Sequence, residues 1–301
     1  MKQWVQNLHQ TIINKGAANQ VHSQSIQDGV LEEIFKNVGS SHPDRKPFCV
    51  EFGFNHPELL GGSGSNVANL VLNKGWDYLL LDGDFENPEI NLHKHYLTSE
   101  NICDIFEQYS VPKDAEYISV DVDSCDLWLF QALVKEYRAK VYTVEYNGNY
   151  PIDAAITFPD DPTEQWEGDR GYGASLKALT LVAQQNGYSL VYVVGSLDAF
   201  FVRNDLLEDG ELRSWPLEAW AGMTNNTQHF PLRRPERVAM FIDYEEYCKT
   251  NGDLEKSRAK AQEICQYYLV DKVCTRGWNK PDPAREEAKK NPWSPSWETK
   301  E

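Results

Sequence analysis

Short apolar runs alternate with stretches of helical periodicity along most of this chain. The apolar runs predict strands at Cys49–Phe52, Tyr78–Leu81, Tyr117–Val120 and Val141–Val144, with a short one near His93–Leu97. Between them, apolar residues recur at every third or fourth position and predict helices. Regular alternation of strand and helix is typical of an α/β fold, in which a doubly wound parallel sheet carries helices on both faces.

The last two predicted strands change this picture at one end of the sheet. Ser189–Val194 and Ala199–Arg203 are separated by only four residues, Gly195 to Asp198. Such a short link forces antiparallel pairing, because a parallel connection needs a crossover of about a dozen residues or more. A parallel sheet that ends in a hairpin is the class I methyltransferase variant of the Rossmann-like fold, whereas a dehydrogenase sheet ends in a parallel sixth strand. We therefore predict a seven-stranded sheet with a C-terminal antiparallel hairpin and a helical C-terminal appendage.

A glycine-punctuated loop follows the first predicted strand and leads into a helix. A dinucleotide site has the pattern G-x-G-x-x-G, but here Gly53 stands alone in Glu51-Phe52-Gly53. This E-x-G pattern is closer to the first motif of S-adenosylmethionine (SAM) methyltransferases. SAM carries a sulfonium cation and no phosphate, which suits an acidic loop. The expected cofactor-binding residues of this loop are Glu51, Gly53, Asn55, Ser65 and Asn66, of which Ser65 can also cap the helix.

Acidic residues also follow the second predicted strand. An acid at this position of the fold commonly accepts hydrogen bonds from the ribose hydroxyls of an adenosine cofactor. Asp82 is the predicted ribose ligand, with Asp84 in reserve. The alternative is that these are turn aspartates without a ligand.

Three carboxylates follow the fourth predicted strand, in Asp121-Val122-Asp123-Ser124-Cys125-Asp126. Like charges this close repel each other and need a cation, hydrogen bonds or wide access to solvent. A Mg²⁺-type divalent cation bound by Asp121, Asp123 and Asp126 is one solution. The sulfonium of SAM is another, and it adds Asp121 to the cofactor-binding residues. An acidic turn that caps the next helix is the third interpretation.

Glu145 ends the fifth predicted strand and is expected at the same edge of the sheet, where ligands bind in open α/β folds. Together with Asp121 and Asp123 it completes the set of candidate catalytic residues, which would act as a base or through a metal ion. The long segment Gly148–Gly173 that follows has no clear period and is predicted to be a substrate lid.

The composition of the chain argues against some kinds of binding partner. The chain has 301 residues, a hydrophobic fraction of 41% and a net charge of −17. That charge argues against nucleic acid and anionic membranes as partners. No apolar run approaches the length of about 18 residues that a membrane span needs, so we expect a cytoplasmic protein with a small-molecule substrate, and a homodimer is left open. Three regions are predicted: a helical lead-in (1–47), a SAM-binding core (48–207) and an appendage (208–301) with a flexible tail from Lys280.

Several segments together resemble the FkbM-type class I SAM-dependent methyltransferases, in particular an uncharacterised subgroup. They include SQSIQDGVLEEIF (23–35), VEFGFN (50–55), GSNVANLVLNKGWDYLLLDGD (64–84), ISVDVDSCDLWLFQAL (118–133) and DAFFVRNDLL (198–207). The resemblance implies a seven-stranded class I fold, with SAM contacts in the loop from Glu51 and near Asp82, and with Asp121 after the fourth strand. Members often read I-D-I-D-G-N-D-Y-W in that last segment, and Ser124-Cys125 replaces the Gly-Asn here.

The predicted function is transfer of the SAM methyl group to a small molecule, with oxygen as the acceptor. Two alternatives stay open. One is a lyase or cyclase on the same fold that acts on SAM or a related adenosyl compound. The other is a non-catalytic protein whose acidic cluster holds SAM or a cation.

Overall fold

A seven-stranded sheet forms the centre of the structure, a computed structural model that describes residues 1–207, 213–225 and 229–273. The strands of this sheet are β1 (Phe48–Phe52), β2 (Asp77–Asp82), β3 (Leu92–Lys94), β4 (Tyr117–Val120), β5 (Val141–Glu145), β7 (Tyr188–Val194) and β8 (Asp198–Arg203). Their order across the sheet is β3-β2-β1-β4-β5-β8-β7. Parallel pairing runs from β3 to β5, and β8 is antiparallel to both β5 and β7. The predicted fold class is confirmed.

The helices among the described residues follow the predicted alternation. They are α1 (Gln3–Lys15), α2 (Gln27–Val38), α3 (Ala68–Lys74), α4 (Ile102–Gln108), α5 (Asp126–Glu136), α6 (Leu176–Gln185), α7 (Tyr244–Lys249) and α8 (Leu254–Cys265). On one layer α5 packs between α4 and α6, while α1 packs on α2 and reaches β7. Every residue of β4 is buried, as expected for a strand that is covered on both faces.

The strand order places the site. From β1 the chain first builds outward through β2 and β3, and then returns to build β4 and β5 on the other side of β1. The crevice outside the carboxyl ends of the strands at such a reversal is where open α/β sheets bind ligands. The predicted site residues after β1, β2, β4 and β5 all lie along this edge.

The described part of the C-terminal region packs against the predicted lid. Within Gly148–Gly173, strand β6 (Ile156–Thr157) pairs antiparallel with β9 (Ile242–Asp243). Most of 154–159 and 169–173 is buried, and the more exposed middle of the segment lies between them. A second apolar core joins this segment to α8. The predicted flexible tail from Lys280 lies outside the described residues.

Candidate functional site

Glu51 organises the glycine loop from the end of β1. Its carboxylate accepts hydrogen bonds from Ser65 Oγ at 2.6 Å and from the backbone N–H of Asn66 at 2.7 Å. Ser65 Oγ in turn accepts from the N–H of Ala68 at 3.0 Å, at the start of α3. Ser65 therefore accepts the first N–H group of α3 as predicted, but the N-cap position of the helix is Val67. The oxygens of Glu51 are largely committed to shaping the loop.

Gly53 is a position of this loop where only glycine fits. Its φ is +77°, and an added Cβ would collide with the backbone carbonyl of Asp121. A side chain is strained at such a φ, and the contact brings the ends of β1 and β4 together. The E-x-G glycine thus allows the close approach of the two backbones that form the cleft.

Asp82 ends β2 and is buried. Its Oδ2 accepts from the N–H of Asn55 at 2.9 Å, and its Oδ1 accepts from the N–H groups of Asp84 and Phe85 at 2.7 and 2.9 Å. Asp82 thereby fixes the loops after β1 and β2. Each carboxylate oxygen offers two lone pairs, so capacity remains for a ligand hydroxyl. Asp84, the reserve candidate, is exposed.

Asp121, Asp123 and Glu145 converge after β4 and β5. One carboxylate oxygen from each of these residues lies within 4.8 Å of the others. Glu145 Oε2 is buried and has no hydrogen-bond partner. The strand does not continue through Asp123, which adopts a left-handed φ of +57°. The three side chains therefore meet across two strand ends, where they could share a cation or a proton.

Asp126 was grouped with Asp121 and Asp123 by sequence, but the structure directs it elsewhere. Its Oδ1 accepts from the N–H of Val122 at 2.7 Å and its Oδ2 from the N–H of Ser124 at 3.0 Å. It is fully buried in the first turn of α5. Asp126 therefore shapes the acidic turn, and the cluster of converging oxygens takes Glu145 in its place. A role of Asp126 as a metal ligand stays a prediction.

Burial is the main cause of the raised pKa values of the carboxyl groups at this edge of the sheet. It raises the pKa of Glu51 to about 7, against the lowering effect of its hydrogen bonds. Burial, and then the charge of Asp126, raises the pKa of Asp123 to about 7. Burial and neighbouring carboxylates hold the pKa values of Asp121 and Glu145 well above their ordinary range. Removing a carboxylate from water disfavours its charged form, and a nearby like charge adds to that effect.

Within the described part of the chain, ion pairs do not neutralise the carboxylates at this edge of the sheet. No lysine, arginine or histidine there forms an ion pair with any of six carboxylates at this edge: Glu51, Asp121, Asp123, Asp126, Glu145 and Asp198. A narrow cleft is lined by Glu51, Asp121 and Asp198 together with Gly53, Asn66 and Gln27. Its walls must separate to admit a nucleoside. The arrangement favours a ligand that carries positive charge.

Sequence reasoning missed Gln27 and Asp198. Gln27 begins α2, in the region predicted as a lead-in, and Asp198 is the last residue of the four-residue link before the second hairpin strand. Asp198 could have been found from the predicted hairpin. Because Asp198 begins a strand antiparallel to β5, it lies at the same sheet edge as Glu145. Gln27 had no comparable signal, since its contact with the edge depends on how the N-terminal region packs.

Comparison with known proteins adds little to this geometry. No protein-family model matches the chain, and no curated protein is a significant match. Among solved structures the chain is similar to the mitomycin 7-O-methyltransferase MmcR, at 12% identity and a TM-score of 0.27. The match covers 67% of this chain and 60% of that chain, so it spans less than two thirds of that protein's length. The fold assignment therefore depends on the strand order and pairing of this chain.

In the described part of the chain, no helix combines the length and the apolar character that crossing a membrane requires. The resemblance to FkbM-type methyltransferases and the cytoplasmic location stay predictions.

Proposed function

We propose that this protein is a SAM-dependent methyltransferase that acts on a small molecule, with an oxygen atom as the methyl acceptor. The observation that carries the proposal is the cleft at the strand ends of a class I fold, where buried carboxylates lack a basic partner among the described residues. Such a cleft repels the pyrophosphate of a dinucleotide and attracts a sulfonium cation. Fold alone would not specify the reaction.

The residues present fit SAM at three points. Asp82 keeps acceptor capacity for one ribose hydroxyl at the end of β2, because three of its four lone-pair positions already accept backbone N–H groups. The loop from Glu51 to Asn66 leaves its backbone beside the cleft, and Asp121 lines the wall next to it. Bound SAM supplies an electrophilic methyl group on a positively charged sulfur. The chain's own contribution is to align the acceptor with that methyl group, and ideal alignment contributes up to about 7–11 kcal/mol.

The cluster of Asp121, Asp123 and Glu145 is proposed to activate the acceptor oxygen. Carboxylate oxygens are the ligands that hard divalent cations prefer, and three of them converge here. These residues would hold a Mg²⁺-type ion that stabilises the oxyanion of the acceptor. Without an ion, one carboxylate of raised pKa would accept the proton from the acceptor hydroxyl.

Replacing Asp82 with alanine tests the cofactor assignment. Loss of a charged acceptor is expected to weaken SAM binding by about 1.5–3 kcal/mol, and the three backbone N–H groups that Asp82 now satisfies would lose their partner. Isothermal calorimetry with SAM and its demethylated product measures the effect. Asp84→Ala is the comparison variant, because Asp84 is the exposed reserve candidate: unchanged affinity in Asp82→Ala with a loss in Asp84→Ala would move the ribose role to Asp84. Binding of NADH with no response to SAM would overturn the proposal, and product analysis with labelled SAM separates methyl transfer from lyase or cyclase chemistry.

The pH dependence provides a second test. The folded-state pKa values of Glu51 and Asp198 are raised to about 7 and about 6, above unfolded values of about 4. Such groups contribute stability that is full below the unfolded pKa and is lost as pH rises through the folded pKa. The free energy of unfolding of the ligand-free protein should therefore fall between about pH 5 and 7, while its affinity for SAM rises.

Glu245, whose pKa is lowered to about 2 by Lys177 and Lys249, titrates below this window. Burial lowers the pKa of His229 to about 4, which opposes the trend, but the carboxylates of raised pKa at this edge of the sheet outnumber it. Thermal unfolding and calorimetry across the window provide the measurement. Stability that climbs with pH, or an affinity for SAM that drops, would contradict the assignment of a cationic ligand to these buried carboxylates.

A further inference from the structure

The N-terminal segment 22–27 forms part of the wall of the cofactor cleft. The N–H of Ser65 donates to the carbonyl of His22 at 3.0 Å. Gly64 has a φ of +117°, and an added Cβ would lie 2.6 Å from the backbone nitrogen of Gln24. The glycine loop and the N-terminal segment therefore touch along their backbones, with no room for a side chain between them.

Asp28 fixes the conformation of this segment. Its Oδ2 accepts from the N–H groups of Val21, His22 and Ser23 at 2.7 to 2.9 Å. Asp28 is buried in the first turn of α2, so the helix and the segment before it form one unit. The wall of the cleft is thus anchored to a helix that packs in the main core.

The side chain of Gln27 extends from this wall and hydrogen-bonds to Asp198. Its Oε1 accepts from the N–H of Ser25 at 2.8 Å, which leaves Nε2 to donate to Asp198 Oδ2, also at 2.8 Å. Gln27 is 1% exposed and Asp198 is 4% exposed. A backbone donor thereby sets the orientation of the amide, and the amide in turn orients the carboxylate.

Asp198 lies beside other acids without a basic partner among the described residues. It begins β8 opposite Glu145, and it faces the charges of Glu51 and Asp121 across the cleft. Buried charges that are not paired are costly. The amide of Gln27 hydrogen-bonds to it, and this support is consistent with a carboxylate that is held for a cationic ligand.

We propose that Asp198, positioned by Gln27, binds the α-ammonium group of the methionine part of SAM. The inference rests on the proposed function and adds residues to it. Asp198 lines the same cleft as Gly53 and Asp121, next to the loop to which the proposed function assigns SAM. An ammonium group offers three N–H donors, whereas a sulfonium offers none, and the oxygens of Glu51 are already occupied by loop donors.

Methylthioadenosine provides the discriminating ligand, because it keeps the adenosine and the thioether of the cofactor but lacks the amino-acid part. Calorimetry with the full chain should show that Asp198→Asn weakens binding of SAM and S-adenosylhomocysteine at least about tenfold, the loss of about 1.4 kcal/mol of a charge-assisted contact. Binding of methylthioadenosine should stay within about twofold of wild type. Asp205→Asn, at an exposed position two residues beyond the far end of the same strand, is the matched control and should change none of the three affinities.

Gln27→Met provides a second variant that keeps the Asp198 carboxylate and removes its amide donor, together with the acceptor of the Ser25 N–H. It should weaken S-adenosylhomocysteine by a smaller factor in the same direction, again without affecting methylthioadenosine. Equal weakening of all three ligands, or of none, in either folded variant would overturn the role of Asp198. A wild-type protein that binds none of the three would instead overturn the proposed function, and the inference with it.

Discussion

A Glu145→Gln variant is expected to lose about 100-fold or more of the methyl-transfer rate, the usual contribution of a positioned base or its equivalent, while its affinity for SAM stays nearly unchanged. Glu145 Oε2 is buried without a hydrogen-bond partner, so its charge is not used to build the fold. One of its oxygens lies within 4.8 Å of those of Asp121 and Asp123. Glutamine keeps the shape and removes the charge, so any loss reports on acceptor activation.

The same variant distinguishes a metal ion from a general base. If the cluster holds a divalent cation, wild-type protein should bind Mn²⁺ in paramagnetic resonance titrations, and Glu145→Gln should weaken that binding. Chelation should then stop turnover and leave SAM affinity intact. If chelation has no effect, the carboxylate acts as the base, and the rate of wild-type protein should rise with pH as the cluster ionises.

Two variants complete the design. Glu136→Gln removes an exposed glutamate from the end of α5, and it should leave both rate and Mn²⁺ binding unchanged. Asp126→Asn should lower stability, because Asp126 accepts two backbone N–H groups, with a smaller effect on Mn²⁺ than Glu145→Gln. A Glu145→Gln enzyme with the wild-type rate would remove Glu145 from the catalytic residues.

Most of the central sheet could be predicted because its strands are continuous apolar runs. Tyr117–Val120 was predicted with the observed limits, and the other strands of the core differ by a residue or a few. Periodicity could not find β6 and β9, since each has two residues and they pair across a long stretch of chain. Their existence depends on the second apolar core, which only the folded chain assembles.

The candidate site also contains residues that could be predicted from the sequence and residues that could not. Glu51, Asp82 and Asp121 could be predicted because parallel strands bring their carboxyl ends to one edge. Asp126 shows the limit of spacing, since the turn after β4 directs its oxygens to backbone N–H groups. Gln27 shows the limit of local pattern, because only the packing of the N-terminal segment places it beside Asp198.

Replacing Arg237 with methionine is expected to destabilise the protein by about 1.5–3 kcal/mol, the range for losing a hydrogen bond to a charged group. Arg237 is 1% exposed, and its guanidinium lies 3.2 Å from Glu164 and 3.6 Å from Glu167. It also donates to the carbonyl of Gln165 at 2.9 Å. These contacts hold the middle of the 148–173 segment to the C-terminal region, so their loss leaves two carboxylates without their buried partner.

Arg234 provides the matched control, because it contacts the same two glutamates from the surface at 45% exposure. Arg234→Met should cost far less, as exposed ion pairs do. Urea unfolding followed by far-UV circular dichroism measures both variants. Equal costs for Arg237→Met and Arg234→Met would show that burial of this arginine does not hold the C-terminal region on the core.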